Sequence, residues 1–76
     1  MDINWKLDPD YDHDTVWDLF VEGEKYSKGW IILGVHDRKV HYAKFTTGDY
    51  IEHLMGSTLE EAKAWMTATY AMGITQ

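Results

Sequence analysis

The stretch LDPDYDHDTVWD places aspartates at every second position, and alternating carboxylates are the ligands that open a calcium-binding loop of the EF-hand type. With Asp8, Asp10 and Asp12 as the first ligands, such a loop needs glycine at its sixth position and glutamate at its twelfth. Those positions hold His13 and Leu19, and a loop that starts one aspartate later fails in the same way. The run is therefore interpreted as a solvated acidic segment or as a charged strip that meets a basic partner.

Other residue types that could support catalysis or metal binding are scattered along the chain. The two serines have structural explanations, Ser27 in a loop and Ser57 at a helix start, and the sequence contains no cysteine. The glycines never cluster into a phosphate-binding loop. No known zinc-ligand spacing relates the four histidines, which are His13, His36, His41 and His53. The sequence thus predicts no enzymatic activity, no metal and no cofactor.

The composition indicates a small folded domain with an acidic surface. Hydrophobic residues make up 45% of the 76 residues and aromatic residues 14%, which is unlike disordered chains. The net charge of -6 repels a nucleic-acid backbone and favours a basic protein as the partner. The N-terminal sequence lacks the pattern of a signal peptide, and no run of about 18 apolar residues occurs that could span a bilayer. We therefore expect a cytoplasmic protein that does not bind membranes.

Period-two alternation of apolar residues predicts an antiparallel meander. TVWDLFVEG predicts a strand over 15–22, WIILGVH a second strand whose two faces are both apolar, and KVHYAKFT a third. A strand that is apolar on both faces is typical of the centre of a sheet. Residues 49–55 satisfy both helical and strand spacing, and the sequence narrowly favours a fourth strand there. Residues 1–14 are interpreted as an acidic extended leader, and residues 15–76 as a single sheet-plus-helix domain.

The C-terminal segment STLEEAKAWMTATYAMG carries the strongest local signal, which is that of a helix. Ser57 and Glu60 have the spacing of a capping box, and Gly73 is placed to end the helix. At the helical period of about 3.6 residues, one face of this segment should pack across the sheet. That face collects Leu59, Ala62, Met66, Thr69 and Tyr70.

Together these elements predict an α+β fold with a three- or four-stranded antiparallel meander and one C-terminal helix packed on one face of the sheet. A single helix covers only one side of such a sheet, so the second apolar face must be covered by something else. Three candidates are the leader, a second copy of the chain in a homodimer, and a target protein. Trp17, Trp30 and Trp65 are expected to lie in the core.

The leader combines aromatic side chains with carboxylates, which is the composition of a surface that binds Lys- or Arg-rich proteins. Because its side chains lie outside the predicted sheet, they are better candidates for a contact than the tryptophans of the strands. The predicted partner-binding residues are Trp5, Asp8, Asp10, Tyr11, Asp12 and Asp14.

The T-x-E-E-A sequence at residues 58–62, which follows a strand meander, resembles the helix start of DNA-binding domains that consist of a three-stranded sheet and a helix. These are the plant Apetala type and the arm-binding domains of phage integrases. Such domains place Arg and Lys on the exposed sheet face to enter the major groove, whereas this sheet carries acidic residues. Those residues are Asp18, Glu22, Asp37, Asp49 and Glu52. The resemblance implies a similar fold and no direct binding of nucleic acid.

In length, charge, lack of cysteine and sheet-and-helix pattern, the sequence also resembles small acidic bacteriophage proteins that inhibit host enzymes. That group includes anti-CRISPR proteins, polymerase inhibitors and DNA mimics. The resemblance implies a small acidic protein-interaction module that occludes a basic or nucleic-acid-binding site on a target protein. Aspartates at alternate positions of an extended chain lie about 6.6 to 7 Å apart, near the phosphate spacing of a nucleic-acid strand. The alternative hypothesis is a homo-oligomeric structural or accessory protein without enzymatic activity.

Overall fold

Four strands and one α-helix form the fold in the computed structural model, which describes residues 2–73 and, of Asp12, only the backbone. The strands pair in the order in which they occur along the chain, each antiparallel to its neighbour. The elements are β1 (Ile3–Leu7), β2 (Val16–Val21), β3 (Gly29–Leu33), β4 (Val40–Phe45) and α1 (Leu59–Ala71). The predicted α+β fold, an antiparallel meander followed by one C-terminal helix, is confirmed.

The first strand lies in the segment that the sequence assigns to an acidic leader. Ile3–Leu7 pairs along its whole length with β2, so that Trp5 lies opposite Leu19. Its sequence, INWKL, alternates apolar and polar residues, and the apolar ones face the same side of the sheet as Leu19. The leader prediction is corrected accordingly: the sheet already begins at Ile3, because β1 pairs with β2 and its Ile3 and Trp5 side chains pack against the core.

The fourth strand predicted at residues 49–55 is wrong, and β1 is the strand that completes the sheet. Tyr50 forms an isolated bridge with Lys44, and Glu52–Leu54 is a 3₁₀ turn. The turn places Leu54 in the core, where only 4% of its surface is exposed. This short apolar run turns to bury one side chain and therefore does not continue as a strand. The sequence did not distinguish the two conformations, because its pattern fits both.

The turn between β3 and β4 begins with Gly34, beside the side chains of Asp37 and His41. A Cβ atom on Gly34 would collide with the side chains of Asp37 and His41. These two side chains are 3.0 Å apart and hydrogen-bonded, and this bond lowers the pKa of the Asp37 carboxyl. Because both side chains are more than half exposed, a larger residue at position 34 would displace them and break this hydrogen bond.

Helix α1 begins one residue later than the predicted capping box at Ser57 would place it. Thr58 is the N-cap: its hydroxyl accepts the backbone N–H of Glu61 at 3.1 Å, and the Glu61 carboxylate accepts the backbone N–H of Thr58 at 3.0 Å. Ser57 instead donates its hydroxyl proton to the carbonyl of Leu54. Two neighbouring pairs have capping-box spacing, so the sequence does not distinguish them. Gly73 has a left-handed φ of 74° and ends the helix as predicted.

The core lies between α1 and one face of the sheet. Two residues of the predicted helix face, Ala62 and Met66, are fully buried there. The buried cluster comprises Leu19, Ile31, Leu33, Val40, Ala43, Phe45, Leu54, Ala62 and Met66. Of the three tryptophans expected in the core, Trp17 packs against this cluster, whereas Trp65 is 38% exposed. Trp30 points to the other face of the sheet, because it alternates with the buried Ile31.

Candidate functional site

The face of the sheet opposite α1 carries aromatic and charged side chains, and no described helix lies on it. Side chains alternate along a strand, so the residues next to those of the core point to this side. The register places one residue from each strand in a single row, which consists of Lys6, Asp18, Trp30 and Lys44. We define the open face as this row together with Phe20, Ile32, Tyr42 and Tyr50.

Lysine side chains lie over the two central aromatic rings of the open face. The Lys6 Nζ is 5.1 Å from the centre of the Phe20 ring, and the Lys44 Nζ is 5.4 Å from the centre of the Trp30 ring. At such distances the ring quadrupole attracts the ammonium group, and the aliphatic stem of the lysine covers apolar surface. The rings are therefore shielded by flexible side chains and not by a second layer of structure.

Tyr50 extends the aromatic surface beyond β4. Its ring stacks on that of Tyr42, with 6.0 Å between the ring centroids and 24° between the planes. About half of Tyr50, 49%, is exposed. Both tyrosines lie on the same side of the sheet as Trp30. Aromatic residues grouped in this way are enriched at the centres of protein-binding surfaces.

Two aspartates lie beside the aromatic rings of the open face. Asp18 stands in the central row between Lys6 and Trp30, and its carboxyl group is hydrogen-bonded to that of Asp8. Partial burial, the negative charge of Asp8 and this hydrogen bond together raise the pKa of Asp18 to about 6. At neutral pH the pair thus holds repelling negative charge, and a cation placed against it would bind favourably.

The acidic segment between β1 and β2 is folded into turns and is not extended. The side chain of Asp8 accepts the backbone N–H of Asp10 at 3.0 Å, and Asp12–Asp14 forms a 3₁₀ turn. His13 within that turn has a left-handed backbone, with φ 66°. The regular separation of about 6.6 to 7 Å that an extended chain would give is therefore lost, and the predicted match to phosphate spacing is wrong.

An arginine from the middle of the chain binds this acidic turn. The guanidinium of Arg38, in the β3–β4 turn, donates to the backbone carbonyl of His13 at 2.6 Å and to that of Asp14 at 3.1 Å. Charged donors give stronger hydrogen bonds than neutral ones, and the planar guanidinium directs both at once. The position of the acidic turn is thus set by a contact that the sequence did not suggest.

Trp5 is partly buried on the side of the sheet that faces α1. Its ring packs against the buried cluster, and its Nε1–H donates to the Oγ1 of Thr67 at 2.9 Å. This hydrogen bond joins the edge strand β1 to α1. The prediction of Trp5 as a partner-binding residue is corrected, because strand alternation places its side chain under the helix beside Leu19.

The other predicted partner-binding residues lie at the surface. Tyr11 is 58% exposed, and Asp10 and Asp14 are also exposed. Asp8 is partly buried and adjoins the open face through Asp18. The side chain of Asp12 lies outside the described part of the structure.

The aromatic residues of the open face were missed as contact candidates. Trp30 was assigned to the core because apolar strand residues are usually buried. The signal that could have identified it is the segment WIILGVH, which is apolar on both faces although one helix can cover only one. The sequence predicted an apolar face that the helix leaves uncovered, but which residues lie on that face depends on the register of the strands.

The histidines take part in local packing. His41 contacts Asp37 in the β3–β4 turn, and the His53 ring meets the Trp65 ring edge-on at 4.6 Å between centroids. Within the described residues, no three or more His, Asp or Glu side chains are grouped to hold a metal ion. The same part of the chain contains no helix long and apolar enough to cross a membrane.

No protein-family model matches the chain, and the comparisons with curated proteins and with solved structures found no significant match. Function is therefore inferred from the geometry and charge of the surface itself.

Proposed function

We propose that this protein is a small acidic protein-interaction module that binds a basic target protein through the open face of its sheet. Binding would occlude a basic or nucleic-acid-binding site on the target. The observation that carries the proposal is the aromatic group centred on Trp30, which lies uncovered by any described helix and adjoins the acidic pair Asp8 and Asp18.

The open face has the arrangement of a protein-binding surface. Trp30 lies near the middle of the central row, between Asp18 of β2 and Lys44 of β4. Tryptophan and tyrosine are enriched among the few residues that contribute most of the binding energy, and polar residues surround them. A target that displaces the Lys44 side chain would bury the Trp30 ring and keep the charged groups at the rim.

The charge of the molecule selects a basic target. The net charge of -6 attracts such a protein over several ångströms and speeds its association. At contact, a lysine or arginine beside Asp8 and Asp18 would relieve the repulsion that raises the pKa of Asp18. Binding should therefore weaken with salt, and it should weaken further as the pH falls below about 6 and Asp18 becomes protonated.

The resemblance to small acidic phage-encoded inhibitors supports occlusion as the mode of action in the host cytoplasm. Enzymes that bind nucleic acid present basic surfaces, which an acidic module can cover without any catalytic group of its own. Support for this comes from size, charge and the single sheet-and-helix unit. The spacing of the aspartates does not support this mode of action, because the acidic segment is folded into turns.

Affinity capture from an extract of the native host, with Trp30→Ala and Trp65→Ala as matched variants, tests the proposal. Trp65 lies on the helix, away from the open face, and has a comparable ring. Loss of a central tryptophan typically reduces the binding energy by about 2 kcal/mol, so Trp30→Ala should weaken the complex about 30-fold. Trp65→Ala should bind as the wild type does. Equal binding by both variants, or binding that is insensitive to salt, would contradict the proposal.

A second copy of the chain is the alternative occupant of the open face, as in a homo-oligomeric structural or accessory protein. Lys6 and Asp18 in one row could pair with their counterparts across a twofold axis. Sedimentation of wild type and Trp30→Ala decides between the two: a dimer that the substitution dissociates would support the oligomer. Aromatic rings with lysines can also stack the bases of single strands, so a labelled oligonucleotide is included, and its binding would refute the proposal.

A further inference from the structure

We infer a second contact surface on this protein: the free edge of β1 accepts an extended, basic segment of the target as a fifth strand. The inference rests on the proposed binding of a basic target and adds how one segment of that target is held. The segment would carry Lys or Arg at both ends of a stretch of about seven residues, and its backbone would pair with that of β1.

Every second residue of β1 directs its backbone N–H and C=O groups away from the sheet. The N–H of Glu22 donates to the carbonyl of Asp2, and the N–H of Asp8 to the carbonyl of Val16, each at 2.8 Å. Since bonding alternates along an antiparallel pair, the even-numbered residues bond to β2 and the odd-numbered ones face outward. The outward residues are Ile3, Trp5 and Leu7. Among residues 2–73, no backbone partner occupies their outward groups.

The opposite edge of the sheet is closed by the chain itself. Ile51 donates its N–H to the carbonyl of Ala43 at 2.6 Å. Val40 donates its N–H to the carbonyl of Ser57 at 2.9 Å and accepts the N–H of Gly56 at 2.7 Å. The segment that follows β4 thus satisfies the edge of β4, and within the described residues the unpaired strand edge is that of β1.

Carboxylates lie at both ends of the free edge. Where β1 begins, the side chain of Asp2 is hydrogen-bonded to that of Glu22, and this bond raises the pKa of Glu22. Where β1 ends, Asp8 is hydrogen-bonded to Asp18. A lysine or arginine side chain at either end would meet two carboxyl groups held close together, and among residues 2–73 no salt bridge involves these carboxyl groups.

An open cavity of about 540 Å³ adjoins the first of these ends. It is lined by Asp2, Ile3, Asn4, Glu22, Thr67 and Ala71. Thr67 and Ala71 belong to the C-terminal half of α1, whose terminal carbonyls add negative potential. The last turn of that helix carries no basic residue. The cavity therefore has both the room and the charge to receive a basic side chain from the added strand.

The pattern of charge along the edge distinguishes a target segment from a second copy of this chain. From Asp2 to Asp8 the edge is about 20 Å long at about 3.3 Å per residue. A second β1 strand would bring its own Asp2 and Asp8 against those already present, and like charges would repel. Lys6 lies within the strand, so a basic residue opposite it is unfavourable, and the positive charges of the segment belong at its ends.

Titration of the full chain with three matched peptides, followed by nuclear magnetic resonance, tests the inference. The probe is Lys-Thr-Val-Thr-Val-Thr-Lys; one control has glutamate at both ends, and the other has every internal amide N-methylated. Strand addition needs the probe's N–H groups, which the N-methylated control lacks, and the carboxylate pairs need its lysines, which the glutamate-ended control lacks, so each control should bind about tenfold more weakly or worse. Hydrogen exchange of the Ile3, Trp5 and Leu7 amides should slow when the probe binds, because those groups become paired. Asp2→Asn with Glu22→Gln should weaken the binding of the probe and should not weaken the binding of the glutamate-ended control, because it removes negative charge.

Three outcomes would overturn the inference. The first is equal affinity for the N-methylated peptide, since attraction would then depend on charge alone. The second is a response confined to Trp30 and Tyr42, which would place the peptide on the open face and agree with the proposed function. The third is no binding at about 1 mM probe. The proposed function fails on a separate measurement, which is equal capture of the natural target by Trp30→Ala and Trp65→Ala.

Discussion

On one face of the sheet Leu19 and Ile31 are fully buried beneath α1, while on the other face Phe20 and Trp30 have lysine side chains over their rings. Both sets come from alternate residues of the same strands and are similarly apolar. Burial in this molecule therefore depends on whether an element lies over a residue, and hydropathy alone does not indicate it. The covered face stabilises the fold, and the open face is the surface that we propose as the contact.

The neighbours Leu19 and Phe20 give the largest contrast between the two faces. Leu19→Ala should lower the free energy of unfolding by about 2 to 5 kcal/mol, because it leaves a cavity in the core. Phe20→Ala removes a larger side chain from the open face and should lower it by about 1 kcal/mol. Urea unfolding of both variants measures the difference. If Phe20→Ala proved as destabilising as Leu19→Ala, the open face would have to be packed in solution.

Two tryptophans of the covered face differ in their hydrogen bonding. Trp5 donates to Thr67, whereas the buried Nε1 of Trp17 has no hydrogen-bond partner among the described residues. Trp5→Phe should therefore destabilise the protein by about 1 kcal/mol, and Trp17→Phe by less, because it also removes an unsatisfied donor. Thermal or urea unfolding of Trp5→Phe and Trp17→Phe shows which of the two variants is less stable. Thr67→Ser keeps the hydroxyl that accepts the hydrogen bond from Trp5 and serves as the control. A Trp17→Phe variant that is less stable than Trp5→Phe would contradict this assignment of the hydrogen bonds.

The acidic pair on the open face predicts a dependence of stability on pH. Asp18 has a folded-state pKa of about 6 against an ordinary value of 3.8, so the folded state binds this proton more tightly than the unfolded state. The stabilisation of the folded state by this proton is fully present below about pH 4 and is lost as the pH rises through 6. Asp18→Asn should thus be more stable than the wild type at pH 7, by about 1 kcal/mol or less after allowance for solvent screening, and this advantage should disappear at pH 4.

Unfolding curves of wild type and Asp18→Asn at pH 4, 5, 6 and about 7 provide this measurement. Asp10→Asn is the matched control, because Asp10 is exposed and lies outside the acidic pair. A constant difference between Asp18→Asn and the wild type over this range would contradict the assigned pair.

The smallest expected effect concerns the lysines over the aromatic rings. Lys44→Met removes the cation beside Trp30, a loss of about 0.5 kcal/mol, and adds apolar surface to the open face. The variant should associate with itself more strongly than the wild type does, as measured by sedimentation. Lys63→Met, which removes the cation over Trp17 on the helix side, is the control and should remain as dispersed as the wild type. Equal association of the two variants would show that the lysine over Trp30 does not shield the face.

Local sequence signals predicted most of the elements but not all of their boundaries. The alternation in β2, the apolar run of β3 and the helical spacing of α1 were sufficient to predict these elements. The five residues of β1 have the same alternation, yet five residues within an acidic segment look equally like an anchor in a loop. The residues around Leu54 fit both the helical and the strand period. The turn is favoured because it buries Leu54 in the core.

The residues that the sequence predicted as a contact surface are not all brought together by the fold. The sequence predicted acidic residues beside aromatic ones. In the fold, Asp8 is hydrogen-bonded to Asp18, which lies opposite Trp30 on the neighbouring strand. The aromatic partner, however, is Trp30 of a central strand and not Trp5 of the same segment. Residues that are far apart in the sequence meet across strands, and that register is fixed by pairing over the whole sheet.

The amino-acid sequence by itself determined the fold class, the acidic character and the presence of one apolar sheet face too many, because composition and periodicity are properties of the chain. Tertiary structure alone decided which face α1 covers, that β1 forms an edge, and that Asp8 and Asp18 stand together. The physical reason is that burial, free edges and shifted pKa values depend on neighbours brought together by folding, and a one-residue change of register would exchange the two faces.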